Sequence, residues 1–347
     1  SRDFTLTGNA IQTGAISTKG GTNNAGGAVT IAASGAASLG AITTTGGAAG
    51  TETNGNNAGS VTIAAADITV GAISAGGSAG KGTDRDGGHG GAISLDATDG
   101  TPTIVLAGSL TASGGAGTNN GTGGSGGAIN VADDATVNAN FAATSIRGTG
   151  GLADGNQSFA ALDGNIAGRT VTLNAGAGGN VTVGNLGAIN AVGTTTVTAN
   201  QLTLNGNVAT NNAAFTANAV SSVLLATDII IDTDVAGGAS NAGAVAFGTA
   251  TTIDSASGTN HTLTVDASAD GGKASSTVAL GTIGQTQALG ALTVTASTTT
   301  LRGNVTTADV AGNDVTLNSA VALAANVAID TARTINKGNI TVTGTTT

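Results

Sequence analysis

The densest run of side chains able to do chemistry is Lys81-Gly82-Thr83-Asp84-Arg85-Asp86-Gly87-Gly88-His89-Gly90. Asp84 and Asp86 among glycines suit calcium, which takes oxygen ligands from closely spaced carboxylates, as in Gly/Asp nonapeptide rolls. Such a roll needs Asp to recur in register. The loops at the same phase of the repeat described below, 46–59 and 114–127, hold only Glu52 and no acid at all, respectively. The run therefore reads as a solvated loop, and calcium is the only cofactor for which any ligand pattern exists. Asp133-Asp134 and the pair Asp96 and Asp99 are further acids that could sit one repeat apart.

Other chemistries have less to work with. There is no Cys, and His89 and His261 are the only histidines, so thiolate zinc sites, disulfide frameworks and Cys nucleophiles are excluded. Ser is everywhere and His nearly absent, which leaves no arguable Ser-His-Asp grouping. A polysaccharide lyase would need clustered acids or a basic residue, with aromatic platforms for sugar rings. Here the acids are scattered, and the aromatics are five Phe: Phe4, Phe141, Phe159, Phe215 and Phe247. Those five are expected to fill an interior. Gly-x-Gly runs without a following helix and a Lys-Ser/Thr pair are no phosphate cradle. Threonine runs at Thr194–Thr196 and Thr298–Thr300 raise ice binding, but they do not recur with every repeat. No catalytic, cofactor-binding or metal-ligating residue is assigned, and no enzymatic activity is expected.

The composition points to a structural material. Of 347 residues, 59 are Gly and one is Pro; charged residues make up 9%, against about 25% in an ordinary domain. Hydrophobic residues reach 39% and are mostly Ala, Val, Ile and Leu. A mean hydropathy of +0.23 with so little charge is the reverse of the disordered composition. Twenty acids against 10 Lys+Arg give a net charge of −10, which argues against a nucleic-acid partner. Gly does not recur at every third position along the chain, which excludes collagen. The longest apolar stretch, 220–231, is broken by Ser221, Ser222, Thr227 and Asp228 and falls short of the roughly 20 residues of a transmembrane helix. The chain opens on Ser1-Arg2-Asp3-Phe4 with no signal-peptide pattern, and is expected to be processed or cut from something longer.

The positioning framework is a repeat. Gly26-Gly27-Ala28-Val29-Thr30-Ile31 returns as Gly59-Ser60-Val61-Thr62-Ile63, Gly90-Gly91-Ala92-Ile93-Ser94-Leu95 and Gly126-Gly127-Ala128-Ile129-Asn130-Val131. A second motif keeps step with it: Gly14-Ala15-Ile16-Ser17, Gly40-Ala41-Ile42-Thr43, Gly71-Ala72-Ile73-Ser74 and Gly108-Ser109-Leu110-Thr111. Gly/Asn-rich stretches of varying length, 20–27, 46–59, 76–91 and 114–127, separate them, and insertions at one fixed phase read as loops on one side of a stack. Later, runs such as Leu263-Thr264-Val265, Leu292-Thr293-Val294, Val315-Thr316-Leu317 and Ile340-Thr341-Val342 alternate apolar and polar residues, as half-buried strands do. No 3.6-residue stripe persists. The expected fold is all-β: a right-handed parallel β-helix with rungs of about 20 residues, Val, Ile, Leu and Ala inward, Thr and Ser outward, and Gly/Asn loops protruding on one side. Residues 1–147 are expected to form loop-rich rungs with an approximately 32-residue repeat, 148–168 a transition marked by Arg147, Asp154 and Asp163, and 169–347 more compact rungs of the same solenoid.

The stretch 289–331 (LGALTVTASTTTLRGNVTTADVAGNDVTLNSAVALAANVAIDT) and the texture of 40–47 resemble the repeats of filamentous-haemagglutinin-like exoproteins and other giant bacterial surface proteins. That resemblance implies a right-handed parallel β-helix, secretion, and a role in adhesion or extracellular matrix at the bacterial cell surface. The expected function is a structural segment of a secreted filament, self-associating end to end or laterally. The alternatives are an adhesin whose Gly-rich loops bind a glycan or protein receptor and, more remotely, a polysaccharide lyase. No transmembrane segment is expected.

Overall fold

A computed structural model describes residues 2–98, 103–139, 143–147, 155–164, 166–235, 240–270, 272–331 and 337–344, with 132–139, 143–147, 218 and 219 described by their backbone alone. Asp99, Pro102, Phe141 and Asp154 lie outside the described residues. Among the described residues every regular element is a β-strand, and the strand pairings run parallel. Two units are distinguished, Ser1–Asn165 with Thr172–Val181, and Ile166–Val171 with Thr182–Thr347.

In the first unit the chain passes repeatedly over itself, three short strands to a pass. Val29–Ala33, Val61–Ala65 and Ile93–Ala97 form one ladder, and Ala37–Leu39, Ile68–Val70 and Thr103–Leu106 a second. The Ile-Ser and Ile-Thr motifs make the third, with Ile16, Ile42, Ile73 and Leu110 in one column. Like therefore stacks on like. Val29, Val61, Ile93 and Ile129 are aligned and buried, as are Ile31, Ile63, Leu95 and Val131. Burying one such side chain stabilises by about 1.5–3 kcal/mol, and the two-residue alternation leaves Thr30 and Thr62 facing out. Residues bonded from pass to pass are separated by 25, 32 and 36 positions.

The second unit repeats the scheme. Ile229, Leu263, Leu292, Val315 and Ile340 stand in one column, and Ile231, Val265, Val294, Leu317 and Val342 in the next. Its passes vary in length. Separations of 21 to 25 occur beside others of 33 and 34, where the chain makes insertions between 233 and 278. Phe215 and Phe247 are buried edge to face, with centroids 6.1 Å apart. Phe159 is buried in the first unit, whereas Phe4 is only half-buried.

The expectation that Thr faces outward fails at Thr195, Thr251 and Thr299, which are buried, and again at one recurring place. Thr44, Thr210, Thr233, Thr307 and Thr331 are buried. Each closes the base of an insertion: Thr44 Oγ1 donates to Gly59 O at 2.6 Å, Thr233 Oγ1 to Gly243 O at 2.7 Å, and Thr307 Oγ1 to Asn313 O at 2.7 Å. The returning amide answers, as Gly59 N donates to Thr44 O and Gly243 N to Thr233 O. An inward hydroxyl is tolerated because a carbonyl lies opposite it.

Candidate functional site

The Gly/Asn-rich stretches are not loops in the ordinary sense. Each leaves the strand framework as one extended arm and returns as another. The turn between them holds a non-glycine residue with positive φ: Asn23, Glu52, Asp84 or Asn119. Returning arms bond back to outgoing ones, as Gly88 N does to Ser78 O and Gly124 N to Gly115 O. Neighbouring passes bond in the same way, with Gly77 N donating to Ser113 O, Gly90 N to Ser125 O and Gly115 N to Gly88 O. An arm thus has partners on more sides than the two of a β-strand. Backbones approach so closely that a Cβ on Gly121, Gly124 or Gly127 would meet Arg85 O, Gly88 O or Gly91 O at 2.0–2.2 Å. In parts of the longer arms Gly recurs at a spacing of three, as at Gly77 and Gly80, Gly88 and Gly91, and Gly121, Gly124 and Gly127, the period of an extended three-fold backbone, although it does not along the whole chain.

This array disposes of the polar run 81–90. Asp84 Oδ1 accepts from Asn120 N at 3.1 Å, and Asp86 Oδ1 from Thr122 N at 2.8 Å and Thr122 Oγ1 at 2.9 Å. His89 Nδ1 accepts from Ser125 N at 2.9 Å, while its own amide donates to Asn57 Oδ1. Arg85 pairs with Glu52 at 3.4 Å on the surface, where such a pair contributes little. The bonds from Thr122 hold the Asp86 carboxyl below the usual carboxylate range, burial opposing only slightly.

The same device recurs through both units: a side-chain oxygen of Asp or Asn accepts an amide of the next pass. Asp3 takes Ala28 N, Asp67 takes Thr103 N, Asn207 takes Ile230 N, Asp228 takes Thr262 N and Asp314 takes Asn339 N. Sequence reasoning missed this use of the scattered acids. The amide of Thr262 lowers the Asp228 pKa against a smaller opposing effect of burial, with His261 3.6 Å away. Asp96 aligns with Ala132, one residue short of Asp133; the side chains of Asp133 and Asp134, like the whole of Asp99, are outside the described residues.

Two further sites stand out in the second unit. Asp232 and Asp266 are aligned on adjacent passes, near Asp234 and Asp270. Burial first, and then repulsion from Asp266, Asp234 and Asp270, raises the Asp232 pKa, although the Asp234 amide donates to it at 2.9 Å. Among the described residues no group of three or more His, Asp or Glu is arranged to hold a metal ion.

The other is a polar cleft of about 410 Å³. Its floor is two outward columns, Gln201, Ser222 and Thr252 in one, and Leu224 and Asp254 in the other. The turn following Gly284, whose φ is 67°, forms a wall and donates Thr286 N and Gln287 N to Asp254 Oδ1 at 2.8 and 3.2 Å. The Gln287 side chain is itself held by Thr259 O at 2.8 Å. These residues lie up to 86 positions apart, and nothing in the sequence singles them out.

No protein-family model matches the chain, and no similar protein was found among curated sequences or solved structures. Among the described residues, no helix is long and apolar enough to cross a membrane.

Proposed function

We propose that the chain is a right-handed parallel β-helix serving as a structural segment of a secreted bacterial filament or surface fibre, of the filamentous-haemagglutinin-like kind. The observation that carries this reading is the alignment of like aliphatics over four and five successive passes, with Asp and Asn bonding each pass to the next. Right-handedness rests on the strong preference of parallel crossovers for that hand. Each pass offers its neighbour the same row of donors and acceptors, so the stack is extendable, and another copy can continue it. The mechanism is mechanical: a continuous ladder of inter-pass bonds resists bending and proteolysis, supporting adhesion, cell–cell contact or matrix at the cell surface. Electron microscopy of the purified chain over a concentration series is the test. Elongation into fibres is expected, and uniform single particles at every concentration would overturn it.

The second reading, an adhesin engaging a receptor through its Gly-rich arms, is favoured by the order of those arms, whose turns present Lys81, Glu52 and Arg85 on a fixed backbone. Replacing Lys81 and Arg85 by Ala should then abolish attachment to host or neighbouring cells without changing assembly. Attachment that survives both replacements rejects it.

A further inference from the structure

We propose that the cleft above Asp254 is a binding site for a single sugar unit that carries no acidic group, with an amino sugar preferred over a neutral one. This goes beyond the fibre reading and does not depend on it.

The site is built around a fixed carboxylate. Asp254 is only 8% exposed, and what remains accessible opens on the cleft it lines. Two amides hold its Oδ1, so the group is oriented before any ligand arrives, and pre-orientation lowers the entropic cost of binding. Around it stand groups that both donate and accept: the Gln201 amide and the Ser222 and Thr252 hydroxyls. Sugar hydroxyls have the same dual character, and neighbouring hydroxyls on a ring can bridge a carboxylate and an amide together. Leu224, half-exposed between them, offers an apolar patch for the C–H face of a ring. The volume lies within the usual range of small-ligand sites, about 300–1,000 Å³.

Charge sets the selectivity. Among the described residues Asp254 is the only charged one lining the cleft, and no Lys or Arg does. A uronic acid or sugar phosphate would place its anion beside a carboxylate of low exposure with nothing to neutralise it. An ammonium group would instead make a charge-assisted bond to that carboxylate. The same reasoning separates this cleft from a lyase site for acidic polysaccharide, which needs a cation. Of the other depressions, the one beside Arg302 has its guanidinium committed to Phe247 O at 2.7 Å.

The experiment titrates the full chain with glucosamine, glucose and glucuronate, followed by amide NMR shifts of Ser222, Thr252, Thr286 and Gln287. Saturable shifts confined to these residues are expected for glucosamine and, more weakly, for glucose, with none for glucuronate. Asp254→Asn keeps an oxygen for the two amides and removes the charge, so it should lower glucosamine affinity about tenfold and erase its advantage over glucose. Gln201→Ala, on the outer face, should weaken both sugars and cannot disturb the wall. The proposal is overturned by no saturable shift with glucosamine or glucose well above millimolar concentration, by equal binding of glucuronate, or by shifts elsewhere in the chain. It is also overturned if both variants bind as the parent does. Fibre assembly, measured on the same samples, reports on the other reading separately.

Discussion

Two adjacent glycines, Gly76 and Gly77, offer a sharp test of the arm architecture. A Cβ on Gly76 would have only Ser113 O nearby, at 3.5 Å, an ordinary contact. On Gly77 it would lie 2.0 Å from Gly88 O and 2.4 Å from Gly88 C. Neither glycine has positive φ, so the two differ in space alone. For Gly76→Ala, the loss of unfolded-state freedom should stabilise by about 0.4–1 kcal/mol. For Gly77→Ala the arms must separate by well over an ångström. That separation strains the bonds of Gly88 N to Ser78 O and of Gly115 N to Gly88 O. Two bonds at about 0.5–1.5 kcal/mol each and an overpacking cost of about 1–3 kcal/mol outweigh the same entropic gain. The entropic gain is common to both, so the expected gap between the variants is about 4 kcal/mol, which corresponds to roughly a thousandfold change in protection. Hydrogen exchange is the suitable assay, because the arms can open locally without unfolding the strands. Amide protection at Gly88 and Gly115 should collapse in Gly77→Ala and persist in Gly76→Ala, with Ile63 and Val70 unaffected in both. Equal protection in the two variants would refute close backbone packing of the arms.

Other consequences follow from the strands and the acids. Ile63→Ala, within the buried column of Ile31, Ile63 and Leu95, should cost about 2–5 kcal/mol in chemical denaturation; a loss below 1 kcal/mol would mean the column is loosely packed. Thr44→Val keeps shape but removes the bond to Gly59 O, and should cost about 0.5–1.5 kcal/mol, with faster exchange at Gly59 as its marker. The pH dependences of two acids should have opposite signs. Asp86 has a lowered pKa, so its contribution is full above the ordinary Asp value and is lost as pH falls through the lower folded value. Asp232 has a raised pKa, so its charge is a burden at neutral pH that protonation relieves as pH falls through the elevated value. Asp232→Asn, which retains an oxygen for the Asp234 amide, should therefore stabilise at pH 7 and lose that advantage in acid; a stabilisation independent of pH would count against this account.

The amino-acid sequence by itself determined where the chain would be extended and which side chains would stack. Valine, isoleucine and leucine at every second position, returning at matched phase in Val29, Val61 and Ile93, admit one sensible arrangement. Side-chain alternation in a strand is a local property, so it can be read locally. The same alternation also marks the inward threonines. In Ile42-Thr43-Thr44 and Ile231-Asp232-Thr233 the second residue after the aliphatic points inward again, and that residue is the buried Thr closing each insertion. Taking Thr as a surface residue by type overrode the period.

Tertiary structure alone decided the rest. Glycine in 76–91 is compatible with a mobile loop or a packed arm, and only the presence of another arm at bonding distance makes it the latter. The acids appeared scattered because their partners on the next pass are amides 25 to 36 residues away, at separations that change with the length of each insertion. The cleft at Asp254 depends on the same variable spacing, which brings Gln201, Ser222, Thr252 and Gln287 together from four stretches of chain. Register between passes is a sum of insertion lengths, and no short segment contains it.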